Sequence, residues 1–89
     1  MSWFPNPFDS RTGSATIVFD VPSAIAVSID IFSVFGRRVR TLTISAAAGT
    51  NTAAWDGTDS AGRKLSKGVY VAVVRAGGES ATYKVGVIH

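Results

Sequence analysis

From residue 15 onward, apolar and polar positions alternate along this chain with a period of two. Ala15, Ile17, Phe19 and Val21 fall on one side of an extended segment, with Thr16, Val18 and Asp20 on the other. Successive side chains of a strand point to opposite faces, so this spacing predicts a strand over 15–21. Pro22-Ser23 ends it, because proline has no amide hydrogen to give to a ladder. Ile25, Val27, Ile29 and Ile31, set against Ser28 and Asp30, predict a second strand over 25–32. Ser33-Val34-Phe35-Gly36 reads as the next turn, Gly36 supplying a position that tolerates positive φ. A third strand is predicted over 37–44, with Val39 inward and Arg38 and Arg40 outward. The Ala-rich stretch 45–49 is too short for a stable helix and reads as a connection.

A fourth strand over 50–55 ends in Trp55, and the Asp/Gly loop 56–62 reverses the chain. Leu65 is expected to fold back onto the core. The fifth strand, 69–76, opens with an unbroken apolar run, Val69 to Val74, which predicts burial on both faces or a central position in its sheet. Ala76-Gly77-Gly78-Glu79 is a hairpin turn, and 80–88 is the last strand. At the start, Trp-Phe-Pro-Asn-Pro-Phe over 3–8 excludes a helix interior, so 1–14 is expected to be an extended segment and a turn. Six clear strands, and a short seventh from the N-terminal segment, with turn signals every 8–12 residues, predict an all-β immunoglobulin/fibronectin III-like antiparallel sandwich of about seven strands. Its expected core is Ile17, Phe19, Val27, Ile29, Ile31, Val39, Trp55, Leu65, Val71, Val73 and Val85.

At 89 residues the chain is expected to be one domain over 1–89. So short a chain buries only about 60–65% of the surface it exposes when unfolded, so its core is thin. With no cysteine, neither a disulfide nor a thiolate is available. Charged residues make up 17% of the chain, below the usual fraction of about 25%, which suits an extracellular β-domain. The net charge of +3 is too modest to predict nucleic-acid binding. No apolar run reaches the roughly 18–20 residues that a membrane helix needs, so no membrane span is expected. The N-terminus lacks the layout of a signal peptide. The chain is expected to be a piece of a longer protein.

Chemistry-bearing residues are few. Asp56 and Asp59 are weak metal candidates, since two carboxylates in a Gly-containing loop offer hard oxygens to calcium. The plainer reading gives both to their own turn backbone, as in Asx-turns. Arg37, Arg38, Arg40, Arg63, Lys64 and Lys67 form either a patch for an anionic partner or a charged strand edge that blocks aggregation; the edge is the reading preferred here. Trp55 reads as core rather than as a sugar-stacking platform. Trp3 either packs on this domain or touches a neighbouring one. His89 is the only histidine and has no Ser-Asp set around it, so no catalytic residue, no enzyme activity and no cofactor are expected.

The order and spacing of several short pieces resemble one family. They are Phe4-Pro5-Asn6-Pro7-Phe8, Thr16 to Pro22, Val27 to Phe32, Gly36-Arg37 with Val39 and Leu42, and Ala48-Gly49. Trp55-Asp56-Gly57-Thr58-Asp59, Gly62-Arg63, Gly68-Val69-Tyr70, Arg75 to Gly78 and Lys84 complete the set. Together these resemble the Ig-like domain shared by type IX secretion C-terminal sorting domains (type A) and the flagellar hook-capping protein. Phe32-Ser33 stands where that family usually has Tyr-Asp, and Val87-Ile88-His89 where many sorting domains end in a basic residue. The resemblance implies a non-catalytic sorting or anchoring module that forms the C-terminal domain of a larger secreted or cell-surface bacterial protein. Its partner would be a secretion translocon or a cell-surface component, reading Arg75, Lys84, Val85, Val87, Ile88 and His89 by surface complementarity and pairing at a sheet edge. The alternative is a spacer or self-assembling subunit of an extracellular protein or filament. It would contact a neighbouring domain of the parent protein, or another subunit, through Trp3, Phe4 and Phe8. A third reading is a carbohydrate-binding accessory domain of a glycoside hydrolase.

Overall fold

The computed structural model describes residues 3–4 and 6–88, the first two through their backbone alone. The strands are β1 (Trp3–Phe4), β2 (Phe8–Asp9), β3 (Ala15–Val21), β4 (Ile25–Ser33), β5 (Arg38–Ala46), β6 (Gly49–Trp55), β7 (Gly68–Ala76) and β8 (Glu79–Ile88). They form a three-stranded sheet, β1-β3-β6, and a five-stranded sheet, β2-β8-β7-β4-β5. Every neighbouring pair is antiparallel except β2 and β8, which run parallel. The fold is an all-β sandwich, with six long strands and two short pairings from the N-terminal segment.

The alternation read over 15–21 and 25–31 matches the burial. Ala15, Ile17, Phe19 and Val21 of β3 face Val27, Ile29 and Ile31 of β4 across the core, and all are buried. Trp55 and Val85 join them, while Val39 and Leu65 are partly buried against the cluster. Strand β5 runs on to Ala46, which is buried, so the expected connection shrinks to Ala47 and Ala48.

Two facings differ from the sequence pattern. In β7 the inward side chains are Tyr70, Ala72 and Val74, not Val71 and Val73. The strand does lie centrally, between β8 and β4. An unbroken apolar run has no period of its own, so its face is set by register. Ile29 pairs with Val74, Ile31 with Ala72 and Val85 with Tyr70, and residues directly opposite share a face. Arg40 is the second case. The β4–β5 register shifts between Ile31 and Phe32, so that Arg40 pairs with Ile31 while Arg38 pairs with Phe32. Arg40 thus keeps the inward register of Leu42, Ile44 and Ala46, and the bulge falls at Val39. Its guanidinium is half-buried and donates to Thr58 Oγ1 and to the Asp59 carbonyl, both at 2.9 Å.

Asp30 points outward, as its alternation requires, yet is only 7% exposed. Arg75 Nη1 at 2.7 Å and Thr41 Oγ1 at 2.9 Å cover it, and Arg38 Nη1 lies 3.9 Å away. A carboxylate this enclosed needs such partners to offset its lost hydration.

Candidate functional site

The expected recognition surface lies on β8, and the structure builds it together with residues 6–10. Asn6 uses its side-chain amide as a strand would use its backbone: Nδ2 donates to the Lys84 carbonyl at 3.0 Å, and Oδ1 accepts from the Gly86 amide at 2.8 Å. Pro7 then lies flat on Gly86. A Cβ at Gly86 would come within 2.9 Å of Pro7 Cβ, so only glycine allows this approach. Phe8 and Asp9 pair with Val87 and Ile88, and the Ser10 amide donates to the Ile88 carbonyl at 3.1 Å. The outer edge of β8 is therefore capped from Lys84 to Ile88 by the chain's own N-terminal segment.

This clasp is anchored by aromatic packing. Phe8 is 1% exposed and meets Trp55 edge-on at 5.8 Å, and Trp55 meets Tyr70 edge-on at 5.5 Å. The Trp55 indole donates to the Thr58 carbonyl at 2.9 Å. Lys64 Nζ reaches the carbonyls of Ser10 and Asp56, tying the 56–62 loop to the clasp. Gly57, at φ +81°, turns the loop where a Cβ would lie 3.0 Å from Ser10.

Asp56 and Asp59 spend their oxygens on that loop. Asp56 Oδ1 accepts from the Thr58 hydroxyl at 2.6 Å and its amide at 3.2 Å. Asp59 Oδ1 accepts from the amides of Arg63 and Ala61, and its Oδ2 from Arg63 Nε at 3.2 Å. The Thr58 hydroxyl holds the Asp56 carboxyl below the ordinary carboxylate range. The Arg63 amide, with the Ala61 amide and the Arg63 charge, does the same for Asp59. A group whose pKa is lower folded than unfolded lends stability above its unfolded value, about 3.9, and loses it as pH falls through the folded value. Urea midpoints are thus expected to stay level from about pH 7 to 5 on account of these two groups and to fall below about pH 4. In the Asp56→Asn/Asp59→Asn variant that fall should shrink, because asparagine keeps an acceptor for the turn but does not titrate; an unchanged acid slope would refute the assignment.

The remaining candidates separate. Val85 and Val87 are core residues, 0% and 1% exposed, so they are not partner contacts; their inward alternation excludes it. Phe8 is likewise core and not an assembly contact, because the proline-flanked segment folds back onto β8. Lys84 and Ile88 remain exposed, and Arg75 is held by Asp30. His89 lies outside the described residues, as do the side chains of Trp3 and Phe4. Arg37, Arg38 and Arg63 line one hollow beside Ser60 and Leu65, whereas Arg40 and Lys64 turn inward to the loop and Lys67 lies near the clasp. Sequence reasoning missed Asn6 and Gly86. A lone glycine within a strand pattern was the available signal, since it marks close backbone approach.

The FlgD Ig-like domain model matches residues 6–80. No curated protein matches the chain. Among solved structures, FlgD from Xanthomonas campestris, described for its part in hook capping, is 34% identical, with a TM-score of 0.70 over 91% of this chain and 59% of that one. FlgD from P. aeruginosa is 22% identical, with a TM-score of 0.69 over 91% of this chain and 62% of that one. PorZ of Porphyromonas gingivalis, a surface component of the type IX secretion system, is 21% identical, with a TM-score of 0.68 over 98% of this chain and 11% of that one. The chain therefore spans less than two thirds of each of these proteins. It belongs to the FlgD Ig-like domain family.

Proposed function

We propose that the domain is a non-catalytic sorting or anchoring module at the C-terminal end of a larger secreted or surface protein, recognised by export or surface machinery. The observation that carries this reading is the surface beside the clasp. Pro7, Lys67, Val69 and Ile88 line one shallow, mostly apolar hollow, with Val69 48% and Ile88 49% exposed. Neighbouring Lys84 adds a cation. An apolar centre with charge at its rim suits a protein partner. The shared fold with a type IX surface component and the FlgD kinship support the same class of role.

The test is a reporter fused ahead of the domain in a bacterium with a type IX system. Removing residues 84–89 would delete core valines, so surface variants are the better probe. Val69→Asp, Ile88→Asp and Lys84→Glu should each lower surface-exposed reporter about tenfold while leaving the melting temperature close to that of the parent. Undiminished export by all three would overturn the reading. The second reading, a spacer or assembly subunit, is favoured by the FlgD kinship. Sedimentation over a range of concentrations tests it, and a monomer throughout counts against self-assembly.

A further inference from the structure

The turn between β4 and β5 is held closed and shows apolar side chains to solvent. The Ser33 amide donates to the Arg37 carbonyl at 2.8 Å, and the Gly36 amide to the Ser33 carbonyl at 3.0 Å. The Ser33 hydroxyl accepts from the amides of Phe35 and Arg37 at 3.3 and 3.4 Å. Gly36, at φ +86°, completes the reversal. Phe35 is 94% exposed and Val34 65%, the two most exposed large apolar side chains among the described residues. The segment that faces the turn is equally fixed. At the bulge, the Val39 carbonyl accepts from the Ser60 amide at 3.0 Å, and Arg40 holds the Asp59 carbonyl from within. These bonds seat residues 59–63 against the start of β5.

Between the two lies the hollow of about 460 Å³ that Arg37, Arg38 and Arg63 line. Its one carboxylate is Asp59, whose two oxygens are taken by the amides of Ala61 and Arg63 and by Arg63 Nε. Among the described residues no carboxylate comes within ion-pair distance of Arg37, and Arg38 comes no nearer than 3.9 Å to Asp30. The hollow thus carries more positive charge than it neutralises. Protection of a strand edge would account for Arg38, the only one of the three within β5. It calls for neither Arg37 on the turn, nor Arg63 on the loop, nor a bare phenylalanine. Guanidinium forks match carboxylates through paired hydrogen bonds, and aromatic and arginine side chains are enriched where proteins meet. We infer that Val34, Phe35, Arg37, Arg38 and Arg63 form a docking surface for an acidic segment of a partner protein that also carries an apolar side chain. Its carboxylates enter the hollow and pair with the guanidiniums, while its apolar side chain covers Phe35. A concave site suits protruding carboxylates better than the flat face of a membrane. β7 and β4 separate this surface from the clasp on β8, so it does not depend on the sorting reading.

The test titrates the full chain with two synthetic peptides, Ser-Glu-Leu-Glu-Leu-Glu-Ser and its counterpart with Lys in place of Glu, followed by amide NMR shifts. The Glu peptide should saturably move the amides of 34–39 and 59–63 while leaving 84–88 unmoved, and the Lys peptide should bind at least tenfold more weakly. The side chains of Phe35, Arg37 and Arg63 are exposed, so variants there should keep the parent's melting temperature. Phe35→Ser should weaken the Glu peptide at least fivefold, and Arg37→Glu/Arg63→Glu should reverse the preference between the peptides. Shifts centred elsewhere, or affinities indifferent to both variants, overturn the proposal. Sodium sulfate that saturates the same amides at the Glu peptide's own concentration would assign the hollow to a free anion and overturn it. So would phosphatidylglycerol vesicles that move these amides where the Glu peptide does not, since they would make a lipid surface the occupant.

Discussion

Trp55→Ala is expected to remove more than half of the domain's stability. Trp55 is 1% exposed and is wedged between Phe8 and Tyr70. Truncating a buried tryptophan to alanine costs about 3–5 kcal/mol in transfer and cavity terms. The Thr58 carbonyl also loses its indole donor, and an orphaned acceptor costs about 1 kcal/mol more. A domain this small has only roughly 5–10 kcal/mol to lose. Urea denaturation followed by circular dichroism measures the loss. Trp55→Phe should retain more than half of the stability, since it keeps the ring and gives up the N–H. A loss below about 2 kcal/mol in Trp55→Ala would contradict the placement of this side chain at the centre of the core.

Phe8→Ala should have the next largest effect, about 3 kcal/mol, with a signature that simple core loss lacks. The ring is the buried anchor of a segment whose other contacts with β8 lie at the surface. Without it, residues 6–10 should leave the β8 edge. Hydrogen exchange at the Gly86 and Ser10 amides should then approach the rate of an unprotected chain while β4 and β7 stay protected. Asn6→Ala, which removes only the exposed amide contacts, should cost about 1 kcal/mol. The rings of Phe8 and Trp55 touch, so the double variant should lose less than the sum of the two single losses. Full protection at Gly86 in Phe8→Ala would mean that the clasp does not depend on this ring.

Particular residues show what the chain's pattern could reveal. Where one face of a strand is buried and the other wet, as in β3 and in β4 up to Ile31, alternation gives both strand and facing. Where the run is apolar throughout, as from Val69 to Val74, the strand is legible but its facing is not. That choice belongs to Ile29, Ile31 and Val85, which are distant in sequence. Arg40 reads as outward only if Val39 sets the phase of its strand; Val39 sits at the bulge, and Leu42 and Ile44 carry the true phase. Phe8 reads as an external contact because its prolines forbid an ordinary central strand. An asparagine side chain supplying strand-like hydrogen bonds has no period to detect. The turn roles of Asp56 and Asp59 were legible, because an Asx-turn depends only on residues within a few positions.

The parallel pairing of Phe8–Asp9 with Val87–Ile88 has a mechanical consequence. When tension is applied through the two ends of the domain, β2 is dragged backward and β8 forward along a common axis. Parallel strands loaded in this way slide past each other, so their cross-links bear the force together. In an antiparallel hairpin pulled from its open end, the links would fail one after another. Asn6 and Ser10 extend the loaded ladder at either side. The geometry gives this small sandwich a shear clamp where its two ends meet.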